Sequence, residues 1–336
     1  MIKEAIEILS GGTDLTAYEM EQVMQEIMSG KVETPVLVSF LVNLSKKGET
    51  PEELTAAVKI MHQFATKIDA RDKIILDTCG TGGDRLGTFN ISTVAAFVCC
   101  GAGVTVAKHG NRSVSSKSGS ADILEALGIN IHMSKEKIEK CLNEIGIAFL
   151  FAPNLHPAMK YAMPARSKIR NKTIFNLIGP LSNPAGATHQ LVGVYDSHWL
   201  EPLAKALKNL GIVHSMVVCG EDGLDEITIT AKTKVAEGLR DKIKSYEINP
   251  EDFGFKKAGL EDLAGGSAQD NAKILLDILN GLTGPKRDIV LLNAGSAIYV
   301  ADKVNSIKEG IELARISIDS KKALERLQLL KEYSNK

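Results

Sequence analysis

No charge of either sign dominates this chain: 40 basic residues face 41 acidic ones, a formal net charge of -1 over 336 residues. That balance excludes a global field that would draw the molecule onto nucleic acid or anionic lipid, so any phosphate binding has to be local. Cysteine is sparse, and the five present (Cys79, Cys99, Cys100, Cys141, Cys219) are odd in number and show no C-x-x-C spacing. A disulfide framework and a zinc ribbon are thereby excluded, and a reducing, cytoplasmic setting is expected. No stretch approaches the ~18 uninterrupted apolar residues of a membrane span. The opening M-I-K-E-A-I-E-I-L-S carries acids where a secretory signal needs an apolar run. Internal repeats and low-complexity segments are also lacking. What remains is an apolar content of 44%, ample for a large core, and a length that suggests two domains.

The first seventy residues read as helices. Leu15, Met20, Val23, Ile27 and Met28 share one face, Thr16 caps that segment with Glu19 three residues on, and Gly30 closes it. A further helix runs through Val36 to Leu44 and stops at Lys46, Lys47 and Gly48, and Thr50 with Pro51 starts the next. From Lys73 the pattern changes to short Ile- and Val-rich runs alternating with helical stretches, which predicts βαβ units and a parallel sheet. The predicted strands are I-I-L-D-T-C-G, V-T-V-A-K-H-G, I-N-I-H, I-A-F-L-F, L-V-G-V-Y, M-V-V-C-G, I-T-I-T-A-K-T-K-V-A-E and I-V-L-L-N-A. Predicted helices cover Ser92 to Cys100, Ala121 to Leu127, Lys135 to Ile145, Leu200 to Leu210 and Ser320 to Tyr333. Residues 1–70 are expected to form a helical domain and 71–336 an α/β domain, joined by hinge helices at about 155–190, where Pro and Gly cluster.

Three segments carry candidate chemistry. In D-T-C-G-T-G-G-D (Asp77 to Asp84), Gly80, Gly82 and Gly83 follow a predicted strand and precede T-F-N-I-S-T, where Ser92 and Thr93 open a helix. Backbone N–H groups of a glycine loop and a helix start together suit a polyphosphate, although the same glycines alone also suit a plain β-to-α turn. No G-K-[ST] follows and G-x-G-x-x-G is absent, so the usual nucleotide and NAD loops are excluded. At the next strand end, K-H-G-N-R-S-V-S-S-K-S-G-S-A-D packs Lys108, Arg112 and Lys117 among hydroxyls, the composition of a second anion site or of a solvated basic loop. In G-E-D-G-L-D-E, Asp225 and Glu226 stand adjacent, a pair that suits magnesium held with substrate phosphates, or two solvated loop acids.

In chain order, D-T-C-G-T-G-G-D, N-I-S-T, K-H-G-N-R, S-G-S-A-D, I-G-P-L-S-N-P-A and D-G-L-D-E resemble the anthranilate phosphoribosyltransferases, over nearly the whole chain. The helical start P-V-L-V-S-F-L-V-N-L-S-K-K-G-E-T is similar to that family's dimer-forming domain. The resemblance implies a nucleoside phosphorylase-like α/β fold: a small helical N-terminal domain on a larger domain with a central, mainly parallel sheet, and the site in the cleft between them. It implies transfer of the phosphoribosyl group of phosphoribosyl pyrophosphate (PRPP) to anthranilate, in tryptophan biosynthesis, by a homodimer that binds neither nucleic acid nor membrane. PRPP is then expected at Gly80, Gly83, Asp84, Thr88, Asn90, Ile91, Ser92 and Thr93, and at Lys108, His109, Gly110, Asn111, Arg112, Ser113, Val114, Ser115, Ser116 and Ser120. Magnesium, as two ions, is expected at Ser92, Asp225 and Glu226. Anthranilate is expected at Gly80, Asn111 and Arg166, with His109, His156, Gly179 and Pro180 lining its approach. Arg166 offers the planar fork that grips a carboxylate; Lys168, Arg170 and Lys172 read as solvated neighbours. His109 is a candidate for proton removal, with packing or hydrogen bonding as the alternative. Two rival readings are a pyrimidine nucleoside phosphorylase, which has no need of a two-acid metal site, and a nucleic-acid-binding relative, which calls for a basic surface.

Overall fold

The computed structural model describes residues 1–84, 86–113 and 117–336. Four helices open the chain: α1 (Ile2–Ser10), α2 (Ala17–Met28), α3 (Thr34–Lys47) and α4 (Pro51–Phe64). Thr16 and Thr50 each accept from the backbone N–H three residues on while Glu19 and Glu53 reach back, so both predicted starts are capping boxes. Glu53 is fully buried yet satisfied, bonded to the Leu15 N–H and to Lys47, which ties α4 to the entry of α2 and the end of α3.

Among the described residues, seven strands form one sheet in the order β3-β2-β1-β4-β5-β6-β7. The first five neighbours, β1 (Leu76–Gly80), β2 (Val106–Gly110), β3 (Ile147–Phe151), β4 (His189–Gly193) and β5 (His214–Gly220), are parallel. The last two, β6 (Thr233–Leu239) and β7 (Lys242–Ile248), are antiparallel. Crossovers run through α5 (Ile91–Gly101), α6 (Ser120–Ala126) and α7 (Lys135–Ile145). After β3 the chain passes α8 (Ala152–Leu155), α9 (Met163–Arg166) and α10 (Ile174–Leu181) to β4, and α11 (Leu200–Asn209) leads to β5. The end is helical: α12 (Ala268–Leu279), α13 (Pro285–Val300), α14 (Ile307–Asp319) and α15 (Lys322–Asn335). The mainly parallel sheet with a helical N-terminal unit is the fold the sequence called for.

Two predicted strands are corrected. I-N-I-H lies in the loop between α6 and α7: Ile129 and Ile131 are buried, but the Ile129 N–H closes the end of α6 on the Leu124 carbonyl instead of joining a ladder. I-V-L-L-N-A belongs to α13, which is buried nearly all round and so shows no amphipathic period. In I-T-I-T-A-K-T-K-V-A-E only the part from Thr233 is strand, and β7 was not foreseen, its outward residues being largely charged or polar.

Two buried cores lie on opposite faces of the sheet. One packs α5, α13, α14 and α15 against β1 to β3. The other joins α1 to α4 with α10, α11 and the Val192, Val217 and Ala236 face. The linker after α4 is pinned: the Thr66 N–H donates to the Leu155 carbonyl and the Ile68 N–H to that of Pro184. The carboxyl ends of β1 and β2 meet α10, with Cys79 Sγ 3.6 Å from the Pro180 carbonyl and His109 beside the Gly179 backbone. The strand order changes direction between β1 and β4, the point at which open α/β sheets form a crevice.

Candidate active site

The glycine loop leaves β1 where its neighbour β4 also ends, and the Thr81 N–H donates to the Gly193 carbonyl at 2.9 Å. Asp225 crosses directly above: a Cβ on Gly193 would stand 1.6 Å from the Asp225 carbonyl oxygen, so only glycine admits this crossing. Asp225 Oδ2 accepts the Gly82 N–H at 2.9 Å, and Glu226 Oε1 accepts the Ser92 N–H at 3.1 Å in the first turn of α5. The two acids therefore occupy the anion-seeking ends of both predicted phosphate elements, the loop and the helix start. Burial, then the neighbouring Asp84 carboxylate, push Asp225 up to about 7, and burial, then Asp225, push Glu226 up to about 8. Carboxylates crowded in this way gain from a hard divalent cation, and oxygen donors suit magnesium.

Beneath them lies a polar layer in which sequence reasoning singled out Lys108, Asn90 and Ser92 but not Asp77, Asn183 or Asn271. Asp77 is fully buried and bound by the His109 N–H at 3.2 Å and by Asn183 Nδ2 at 2.8 Å; burial raises it to about 6 against the pull of Lys108. Lys108 Nζ donates to the Thr78 carbonyl at 2.5 Å and to Ser92 Oγ at 3.3 Å, and burial lowers its pKa despite Asp77. Asn271 donates to Asn90 Oδ1 at 3.1 Å and to Ser118 Oγ at 2.8 Å, bracing the two anion loops against each other. Thr88 bridges Ala264, and the neighbouring Phe89 N–H reaches the Leu263 carbonyl.

On the other side of the crevice Arg166 closes α9, partly buried, with its guanidinium 5.5 Å from the centre of the Phe175 ring. Burial lowers its pKa, and among the described residues no carboxylate lies within salt-bridge reach. His109 and His156 face each other with ring centroids 5.1 Å apart, and burial pushes them down to about 3 and about 4, so both are neutral at pH 7. His62 on α4 adds to that depression from the helical side. Gly179 borders open space, and the Pro180 carbonyl accepts from Gln190.

Residues 72–324 match the α/β domain of a glycosyl transferase family, and residues 3–65 match that family's helical bundle domain. An anthranilate phosphoribosyltransferase of Petrotoga mobilis is 52% identical over 324 residues, covering 96% of this chain and 94% of the relative. The chain belongs to the anthranilate phosphoribosyltransferase family. Among solved structures, the Thermus thermophilus anthranilate phosphoribosyltransferase superposes with a TM-score of 0.94 at 40% identity over 99% of both chains. The Saccharomyces cerevisiae anthranilate phosphoribosyltransferase in complex with PRPP and Mg does so with a TM-score of 0.92 at 27% identity, over 99% of this chain and 98% of that one.

Within this anthranilate phosphoribosyltransferase fold, Gly80, Gly83, Asp84, Asn90, Ile91, Ser92, Thr93 and Lys108 gather around the acid pair or the start of α5. Gly110, Asn111, Ser113 and Ser120 form the β2 to α6 turn, where the Asn111 carbonyl accepts from Ser120. Val114, Ser115 and Ser116 lie outside the described residues. The Arg112 guanidinium is already engaged, with Nη1 2.9 Å from Asp122 and Nη2 2.9 Å from Glu125, so a phosphate contact there has to displace a carboxylate. Lys172 is not a solvated neighbour: its Nζ stands 3.1 Å from the Gly83 carbonyl. Its sequence signal was weak because the loop it touches lies 89 residues away.

Proposed function

We propose that the chain transfers the phosphoribosyl group of PRPP to the amine of anthranilate, giving N-(5-phosphoribosyl)anthranilate and pyrophosphate, as in L-tryptophan biosynthesis. The observation that carries this reading is the Asp225–Glu226 pair, clasped to a glycine-loop N–H and a helix-start N–H, together with a partly buried Arg166 free of carboxylates among the described residues. The pyrophosphate end of PRPP lies against the glycine loop at Gly80 and Gly83 and the start of α5, where the Gly82 and Ser92 N–H groups are already held by Asp225 and Glu226, and the β2 to α6 turn holds the remaining phosphate. Magnesium fits the same place: Asp225 and Glu226, with Ser92 Oγ beside Lys108, offer hard oxygen donors whose pKa values burial and crowding have raised. When bound, it neutralises charge that develops on the departing pyrophosphate.

Arg166 grips the anthranilate carboxylate with its planar fork, Asn111 and Gly80 complete that seat, and His109, His156, Gly179 and Pro180 line the approach. The amine enters the anomeric carbon from the face opposite the leaving group, so configuration inverts. The protein's share of the barrier comes from alignment and from electrostatic stabilisation of the leaving group, with no strong base required. Neutral His109 and His156 suit this, since imidazoles with such low pKa values accept hydrogen bonds but hold a proton poorly.

Pairing into a homodimer through the helical unit belongs to the same proposal, supported by the exposed Tyr18 and Val42 on α2 and α3. Five unpaired, buried cysteines suit a reducing cytoplasm, and no helix of the described residues is long and apolar enough to cross a membrane. The test is loss of anthranilate fluorescence with PRPP and magnesium, with Arg166→Ala and metal-free controls. Metal-dependent consumption, weakened by Arg166→Ala chiefly through the KM for anthranilate, is expected. A folded wild type that consumes none overturns the reading.

A further inference from the structure

Lys172 lies just before α10, on the segment that returns from the helical unit to the sheet. Its backbone carbonyl accepts from Ser45 Oγ on α3 at 3.3 Å. Its side chain runs the opposite way, with Nζ 3.1 Å from the Gly83 carbonyl, 3.5 Å from that of Gly82 and 2.8 Å from the centre of the Tyr195 ring just after β4. One residue thus touches the helical unit, the glycine loop and the strand next to it. The loop is shaped for this side chain: Gly83 has φ +83°, and a Cβ there would stand 2.8 Å from both Cε and Nζ of Lys172.

We propose that Lys172 is a positioning residue that sets the glycine loop for polyphosphate and ties its occupancy to the helical unit. A peptide plane has its carbonyl and N–H on opposite sides, so fixing the Gly82 and Gly83 carbonyls on the ammonium turns the following N–H groups toward the crevice. A loop with two glycines in the left-handed region has many alternative conformers, and their entropy opposes binding unless a partner selects one. The ammonium also adds positive charge close to Asp225. Lysine is suited to this because its ammonium has three donors, enough for two carbonyls and the face of the Tyr195 ring.

This inference rests on the PRPP reading above, and the molecule contains a reporter that separates the two. Its single tryptophan, Trp199, donates from the indole N–H to the Tyr195 hydroxyl at 3.1 Å, on the ring that carries Lys172. PRPP with magnesium chloride is titrated into wild type, Lys172→Met and Lys172→Arg, followed by Trp199 emission and by calorimetry, with melting temperatures measured alongside. Expected is a rise of about tenfold or more in the Kd for PRPP in Lys172→Met, equal to about 1.4 kcal/mol, with substantial rescue by Lys172→Arg. The melting temperature and the KM for anthranilate stay near wild type. Equal PRPP affinity in wild type and Lys172→Met overturns the proposal, as does a parallel loss of melting temperature and of both affinities. A wild type that binds PRPP without turnover rejects the reaction and leaves the lysine's role standing; one that binds no PRPP rejects both.

Discussion

Asp225 and Glu226 are clasped by backbone N–H groups, with no cation in salt-bridge contact among the described residues, and this makes their replacement informative. Asp225→Asn keeps an oxygen for the Gly82 N–H and removes one negative charge from a crowded site. Its expected effect is a loss of about 10²-fold in kcat/KM for PRPP, with a higher magnesium requirement, and no loss of metal-free melting temperature. Steady-state kinetics across magnesium concentrations and a thermal melt check both. His109 and His156 support a pH prediction. Burial holds them at about 3 and about 4 when folded, against about 6.5 in the unfolded chain. The unfolded chain therefore binds more protons between those values, so stability falls as pH drops from about 6.5 toward about 4. His109→Gln with His156→Gln is expected to flatten that acid slope in denaturant titrations, and kcat of the wild type should show no inflection from either histidine between pH 6 and 9.

α13 shows how an element far from the substrate fixes the site. Asn293 is fully buried; its Oδ1 accepts the Ile227 N–H at 2.9 Å, and its Nδ2 donates to the carbonyls of Ile227 at 2.7 Å and Ile289 at 2.9 Å. Ile227 directly follows the two acids, so the helix holds the segment that presents them. Asn293→Ala strands a buried N–H and carbonyl and is expected to destabilise the fold by about 1–3 kcal/mol, read as a shifted urea midpoint, and to weaken magnesium use. This helix was misread as a strand from I-V-L-L-N-A because a helix apolar on every side shows neither period, and a short window cannot then separate the two. Among the helices that were legible, α2 and α4 have one solvated face and complete capping boxes.

At the scale of the whole molecule, the second core is continuous from α1 to α4 across α11 to the sheet face, so the two units share buried apolar surface and cannot swing apart freely. Closure around substrate, through the segment from about 155 to 190, is therefore expected as a small rotation. X-ray scattering should give the mass of a dimer in both states and a modest decrease in radius of gyration with PRPP and magnesium. Identical profiles with and without ligand, or a monomer mass, count against the closure and the pairing respectively.

The sequence by itself determined the helical start, the alternation of strands and helices, the glycine loop and the acid pair, because caps, glycine loops and paired acids announce themselves within a few neighbours; most other candidate site residues came from the family resemblance. Asp225 and Glu226 were visible as a pair, whereas Arg166 was set apart from Lys168, Arg170 and Lys172 only by the family resemblance. Only the tertiary structure decided that these acids reach back to the N–H groups of Gly82 and Ser92, that Asn183, Asn271 and Asn293 brace the loops, and that Lys172 grips Gly83. Each of those contacts joins residues far apart in the chain, and their partners are mostly backbone atoms, which are chemically the same at every position and leave no mark in a local pattern.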